Sequence, residues 1–172
     1  LHIGETEKYA HITYFFNGGK ENLFSGEDRI LVASPRVPRF DEVPEMSAAK
    51  VTDAIINNLS KYDFILANFA NADLVGHSGN FSATVKALEV LDFSVGKIIP
   101  KVLENNGALI VSGDHGNAEE KIYPLTGEKK TKHSANQVPF NLIAADLKSN
   151  KPLSEAEIKE NGLKEEGILI ER

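Results

Sequence analysis

The chain contains no cysteine among its 172 residues. This excludes disulfides and thiolate metal sites, so any bound metal must be held by oxygen and nitrogen ligands. No apolar run approaches the ~18 residues of a membrane span, and no signal peptide is visible. An excess of basic residues is also lacking, since the formal net charge is −6 with both signs interspersed. We therefore expect a cytoplasmic protein whose partners are neither nucleic acid nor membrane.

Length and composition indicate one globular domain. Hydrophobic residues make up 41% and charged residues 26%, which is typical of a domain with a substantial core. The domain is expected to cover residues 1–147. Residues 148–172 are polar and rich in Lys and Glu, which predicts a tail with at most a short surface helix over 155–161. The chain begins at Leu1 rather than Met, which favours a processed product or a fragment.

Predicted strands and helices alternate along the chain. Runs of β-branched, aromatic or apolar residues predict strands over residues 9–16, 29–33, 63–69, 108–112 and 138–144. Helical spacing of apolar residues predicts one helix with Ser47 as its N-cap and a second over 81–105 that contains Pro100. This alternation favours an α/β fold with a largely parallel sheet and helices on its faces.

The predicted strand over 108–112 has the most informative continuation. It is expected to be buried, and Gly113, Asp114 and His115 follow it directly. Open α/β sheets place their ligands where strands leave the sheet. A carboxylate beside a neutral imidazole is a suitable ligand pair for a divalent metal. Asp114 and His115 are therefore candidate metal ligands.

Two further loops concentrate the same residue types. Asp73 and His77 follow the predicted strand over 63–69, and His133 precedes the last predicted strand. Asp73 and His77 are four residues apart, so they can share a metal if the segment is helical or turns tightly. Taken singly, Asp73 is typical of a cap or turn, and the two histidines are typical of solvated loops. Their occurrence in successive loops favours one shared site.

The remaining candidates are a lysine and two histidines near the N-terminus. Lys8, before the first predicted strand, is either a point charge that binds phosphate or a solvated residue. His2 and His11 are interpreted as a terminal residue and a strand residue without a chemical role.

Six ordered blocks of sequence resemble the cofactor-independent (2,3-bisphosphoglycerate-independent) phosphoglycerate mutase family. They cover residues 5–13 (ETEKYAHIT), 15–19 (FFNGG), 44–48 (PEMSA), 68–79 (NFANADLVGHSG), 113–119 (GDHGNAE) and 133–140 (HSANQVPF). The resemblance runs from about residue 4 to 145. Asp-His-Gly alone would indicate only the wider alkaline phosphatase superfamily, whereas the series of blocks is specific to the mutases.

The resemblance implies a three-layer α/β/α sandwich, alkaline-phosphatase-like, and an isomerase that converts 3-phosphoglycerate to 2-phosphoglycerate through a phosphoserine. It also implies two divalent metals, of manganese type, although Zn²⁺, Co²⁺ or Fe²⁺ would be accepted, and no need for 2,3-bisphosphoglycerate. By matching positions, Asp73, His77 and His133 hold one metal. Asp114 and His115 contribute to the other. Lys8 matches a lysine at the substrate phosphate.

The family pattern is only partly present. Its nucleophilic serine, a further metal-binding Asp and an inserted substrate-binding domain have no counterpart here, so no catalytic residue is assigned. We interpret the chain as a C-terminal fragment of the metal-binding domain, inactive alone, from a parent that is a monomer. The fragment is expected to self-associate through an open sheet edge. The alternatives are a metal-dependent phosphatase or phosphopentomutase-like enzyme of the same superfamily, and a non-catalytic metal-binding domain.

Overall fold

Three short parallel strands form the centre of the fold. The computed structural model describes residues 1–123 and 125–147. Strands β1 (His2–Glu5), β2 (Arg29–Val32) and β3 (Leu66–Asn68) pair in the order β2-β1-β3. The register aligns His2 with Arg29 on one side and with Leu66 on the other. The predicted strands over 29–33 and 63–69 are confirmed in shortened form, and the predicted parallel sheet is confirmed for these three strands.

The prediction of a strand over residues 9–16 is wrong. The structure has a 3₁₀ helix at Thr6–Lys8 and a π-helical segment at His11–Phe15. Side chains in a half-buried strand alternate between core and solvent, but Tyr14, Phe15 and Phe16 are exposed one after another. His11 is therefore a helical residue, and Lys8 lies in a 3₁₀ turn.

The central strand β1 was missed by the sequence interpretation, which took His2 for a terminal residue without a chemical role. All four residues of β1 are buried, and Ile3 is fully buried. Glu5, at the end of this strand, accepts a hydrogen bond at Oε1 from the backbone N–H of Ser47 at 3.1 Å. The strand therefore buries charged and polar side chains, which the sequence pattern does not predict.

Two helices cover the parallel sheet. Helix α1 (Ala48–Ile56) begins after Ser47 as predicted, but the Ser47 hydroxyl donates to the Ala33 carbonyl at 2.7 Å instead of capping the helix. The long helix α3 (Phe81–Glu104) confirms the predicted helix over 81–105 and contains Pro100. The side chains that join sheet and helices form the main core: Leu1, Ile3, Val32, Val51, Ile55, Ile98 and Val102.

The last two strands form a separate pair. Strand β4 (Leu109–Ser112) is antiparallel to β5 (Phe140–Ile143), with Leu109 opposite Ile143. The expectation that β4 is buried is wrong, because Ile110 is 59% exposed. The strand instead presents alternate residues to solvent, as expected for a strand that is covered on one face. Both predicted strands exist, but they do not extend the parallel sheet.

Of the helices in the described ranges, none combines the length and the apolar character needed to cross a membrane. The predicted polar tail over 148–172, with its expected helix over 155–161, lies outside the described residues.

Candidate metal centre

A short helix brings the first two candidate ligands together. Helix α2 (Asn71–Gly76) follows β3 and carries Asp73 in its first turn, and His77 comes directly after its last residue. The buried Asn71 ties α2 to α3, because its Nδ2 donates to the Ala87 carbonyl at 3.0 Å. One helical turn separates Asp73 from His77, so their side chains share a face. Asp73 Oδ1 lies 3.1 Å from His77 Nε2.

The third candidate ligand arrives from a loop far along the chain. An antiparallel bridge joins Gly116 to Ser134, where the Ser134 N–H donates to the Gly116 carbonyl at 2.9 Å. This bridge carries the neighbouring His133 to helix α2. His133 Nε2 lies 3.2 Å from Asp73 Oδ1 and 3.1 Å from His77 Nε2.

The spacing of these three atoms fits one cation. Ligand atoms at about 2.1 Å from a metal lie about 3.0 to 3.4 Å apart when they are adjacent in octahedral or tetrahedral geometry. The separations of Asp73 Oδ1, His77 Nε2 and His133 Nε2 are 3.1 and 3.2 Å. The donor set of one carboxylate and two imidazoles is also suitable for a divalent metal.

The orientation of the His77 ring strengthens this assignment. Its Nδ1 lies 2.6 Å from the Thr131 carbonyl oxygen. Because a carbonyl only accepts, Nδ1 is the donor, and in the neutral ring Nε2 then carries a lone pair. That lone pair faces the Asp73 carboxylate at 3.1 Å, and the contact is favourable only with a proton or a cation between the two atoms. Orientation of a histidine ligand through its second nitrogen is the usual arrangement at metal sites.

Asp73 is the centre of the charge network. Lys8 Nζ lies 2.5 Å from Asp73 Oδ2, and Asn117 Nδ2 donates to Asp73 Oδ1 at 2.6 Å. Burial alone would raise the pKa of Asp73, but the hydrogen bonds from Lys8 and Asn117 outweigh it and lower the pKa to about 2. The carboxylate is therefore ionised and ready to bind a cation. The structure thus places Lys8, a candidate from the sequence, beside the cluster.

The other two candidates lie next to the cluster but outside it. The His115 ring stacks on His133 with centroids 3.6 Å apart, and His115 Nε2 lies 3.5 Å from Asp114 Oδ2. Both ring nitrogens of His115 are buried and have no hydrogen-bond partner within residues 1–123 and 125–147. Buried nitrogens without partners are costly and call for an explanation. An incomplete second metal site, to which this chain brings two ligands, would explain them.

Sequence reasoning missed the polar residues that support the candidate ligands. Glu119 accepts the Asn117 backbone N–H at 2.7 Å, the Ser134 hydroxyl, and Asn136 Nδ2 at 2.9 Å. Burial raises the pKa of Glu119, but these hydrogen bonds lower it to about 2. Glu119 thereby joins the loop that carries Asp114 to the loop that carries His133. In the sequence, the only sign of their importance was their place in the family-like blocks over 113–119 and 133–140.

The chain matches a family of metal-dependent enzymes, in agreement with the candidate metal centre. A sequence profile described as the metalloenzyme superfamily matches residues 1–167, and the chain belongs to that superfamily. Family membership and the cluster of Asp73, His77 and His133 together support divalent metal binding.

Within this superfamily, the chain is similar to phosphoglycerate mutases. The chain is 48% identical to the 2,3-bisphosphoglycerate-independent phosphoglycerate mutase of Clostridium tetani, over 99% of this chain and 34% of the relative. It is 52% identical to the mutase of that name from Moorella thermoacetica, over 83% of this chain and 28% of the relative. A crystal structure of Leishmania mexicana phosphoglycerate mutase at low cobalt concentration superposes with a TM-score of 0.78 at 33% identity, covering 86% of this chain and 30% of that one. The predicted resemblance and fold are confirmed, and the chain spans about a third of the length of its curated relatives.

Proposed function

We propose that this chain is the metal-binding part of a cofactor-independent phosphoglycerate mutase, which interconverts 3-phosphoglycerate and 2-phosphoglycerate through a phosphoserine without 2,3-bisphosphoglycerate. The observation that carries the proposal is the convergence of Asp73, His77 and His133 beside Lys8. The identity of about half to mutases along nearly the whole chain supports the choice of substrate.

Each residue has a proposed role. Asp73, His77 and His133 hold one divalent ion, and Asp114 and His115 contribute two ligands to a second. The oxygen and imidazole donors favour Mn²⁺, although Zn²⁺, Co²⁺ and Fe²⁺ share the same preferences. Bound divalent ions acidify a hydroxyl nucleophile and neutralise charge on a transferred phosphoryl group.

Lys8 is proposed to bind the substrate phosphate. Its ammonium group has three donors, and one points to Asp73 Oδ2 at 2.5 Å. Within residues 1–123 and 125–147 its other two donors have no partner, and we assign them to phosphate oxygens. A lysine that contacts a metal ligand on one side and a phosphate on the other would place the phosphoryl group next to the metal. The serine nucleophile is not assigned to any residue of this chain.

Calorimetric titration of the 172-residue chain with Mn²⁺ tests the metal centre. We expect saturable binding near one equivalent. His133→Ala should weaken it by more than about 100-fold, because loss of a supporting residue alone costs about 10- to 100-fold. His11→Ala is the matched control, since His11 is exposed and contacts Phe15 rather than the cluster.

Two results would contradict the proposal. Wild-type-like binding by His133→Ala would show that the ligand assignment is wrong. The absence of binding in wild-type chain that is folded by circular dichroism would show that these three residues do not form a site by themselves. The substrate is tested in a complete enzyme carrying this segment, by comparing isomerisation of 3-phosphoglycerate with hydrolysis of an aryl phosphate.

A further inference from the structure

Lys121 is a buried lysine whose position needs a reason. It is 5% exposed, and its Nζ donates to the Gly76 carbonyl at 2.9 Å and to the side-chain oxygen of Asn117. Within the part of the chain that the structure describes, it takes part in no ion pair. Burial of a charge destabilises the fold unless hydrogen bonds or an opposite charge compensate the lost hydration.

The chemistry of the ammonium group fixes the orientation of Asn117. An ammonium only donates, so the Asn117 atom that faces Lys121 must be Oδ1. Nδ2 must then face Asp73, where it donates to Oδ1 at 2.6 Å and to the backbone carbonyl at 3.1 Å. Both N–H groups of the amide are therefore used on Asp73. If the amide were reversed, its oxygen would face the Asp73 carboxylate.

We propose that Lys121 is a positioning residue for the metal centre and acts through Asn117 on Asp73. The inference rests on the proposed metal site. Asp73 Oδ1 is the atom that faces His77 and His133, and it is also the atom that Asn117 holds. Lys121 thus sets which lone pairs of Asp73 Oδ1 remain directed at the cation.

Packing around Asn117 supports the same arrangement. Gly76 ends helix α2, and a Cβ added there would lie 2.9 Å from Asn117 Oδ1 and 3.2 Å from its Nδ2. The amide therefore lies directly against the helix backbone, where a side chain at position 76 would displace it. Lys121 bonds both to this amide and to the Gly76 carbonyl, so it closes the contact between the helix and the loop.

The test is a double-mutant cycle on Mn²⁺ affinity. We expect Lys121→Met, which keeps the apolar stem, to weaken binding about 10-fold or more. Asn117→Ala should weaken it at least as much, and Lys121→Met should have no further effect in the Asn117→Ala background. Lys130→Met is the matched control, because Lys130 lies in the same segment and pairs with Glu120 instead. It should bind within about twofold of wild type.

A spectroscopic measurement separates positioning from loss of structure. The visible absorption of Co²⁺-loaded protein reports ligand geometry, and it should change in Lys121→Met while the far-ultraviolet circular dichroism of the metal-free protein does not. If Lys121→Met fails to fold, Asn117→Asp is measured instead. That variant keeps the Lys121 contact but replaces the amide donor with an acceptor, and it should bind at least 10-fold more weakly.

The outcomes distinguish this inference from the proposal on which it rests. Wild-type affinity in Lys121→Met, or effects of the two substitutions that simply add, would overturn the role of Lys121 and leave the metal site intact. Wild-type affinity in Asn117→Asp would overturn it as well. Failure of the wild-type chain to bind Mn²⁺ would overturn both.

Discussion

Replacement of Asp73 by Asn should destabilise the metal-free protein. Lys8 is 6% exposed, and its ammonium lies 2.5 Å from the Asp73 carboxylate. Removing one partner of such a buried pair costs about 3–5 kcal/mol, because the other charge is left without compensation. The asparagine oxygen can still accept one hydrogen bond from Lys8, so we expect the lower end, about 3 kcal/mol.

The pKa of Asp73 gives a second estimate of how much this carboxylate stabilises the folded protein. In the folded protein, burial raises the pKa but the hydrogen bonds from Lys8 and Asn117 lower it from 3.8 to about 2. A depressed folded-state pKa stabilises the protein above the unfolded-state value, and this stabilisation is lost as pH falls through the folded-state value. The shift corresponds to roughly 2 kcal/mol, of the same order as the loss expected for the broken pair. Most of it should disappear between pH 3.8 and about 2.

Urea unfolding at neutral pH with a chelator present measures the effect. With a slope of about 2 kcal/mol per molar, a loss of about 3 kcal/mol lowers the midpoint by about 1.5 M. Glu89→Gln is the matched control: its pair with Lys86 is more than 60% exposed on both sides, and such pairs contribute less than about 1 kcal/mol. Equal midpoints for Asp73→Asn and wild type would show that the Lys8–Asp73 pair does not stabilise the fold. So would parallel losses of stability for the two proteins between pH 4 and pH 2.

Helices α1 and α3, and the pairing of Asp73 with His77, could be predicted because their signals are local. The apolar spacing of α3 is complete within the helix itself, so its bounds follow from the sequence. Asp73 and His77 needed only the condition that their segment is helical, and α2 meets that condition. To include His133 in the site, we had to assume that separate loops meet at one place. The bridge between Gly116 and Ser134 brings them together.

The sheet could not be predicted as well, because strand pairing is decided by distant residues. Strand β1 contains His2, Gly4 and Glu5, which are not typical of a buried strand. It is central because β2 and β3 pair with both of its edges, and it is buried because helices pack on the sheet. The aromatic run over 9–16 has a strand-like composition, but it forms a helical segment that packs against β1 and β3. β-Propensity depends strongly on such context.

The hydrogen-bond network around the candidate ligands was missed for the same reason. Asn117 binds Asp73 across 44 positions, and Lys121 binds Gly76 across 45. A single asparagine or lysine in a polar loop is more often solvated than buried, so neither residue type carries a signal. The resemblance blocks include Asn117 but end before Lys121, which only the fold brings to helix α2.

Two glycine substitutions test the packing of the helices, and sedimentation tests the open edges of the sheet. Gly76→Ala should destabilise the protein by about 1–2 kcal/mol and weaken Mn²⁺ binding, because its Cβ would lie 2.9 Å from Asn117 Oδ1. A Cβ at Gly96 in α3 would meet nothing within 4 Å, so Gly96→Ala should stabilise the protein by up to about 1 kcal/mol. Shifts of the thermal unfolding midpoint in the same direction for Gly76→Ala and Gly96→Ala would contradict this expectation. Among the described residues, strands β2 and β3 end the three-stranded sheet, and each has one edge without a partner strand, at which pairing with another chain is expected. Sedimentation velocity should therefore show association that grows with concentration, whereas a monomer at every concentration would mean that these edges are protected.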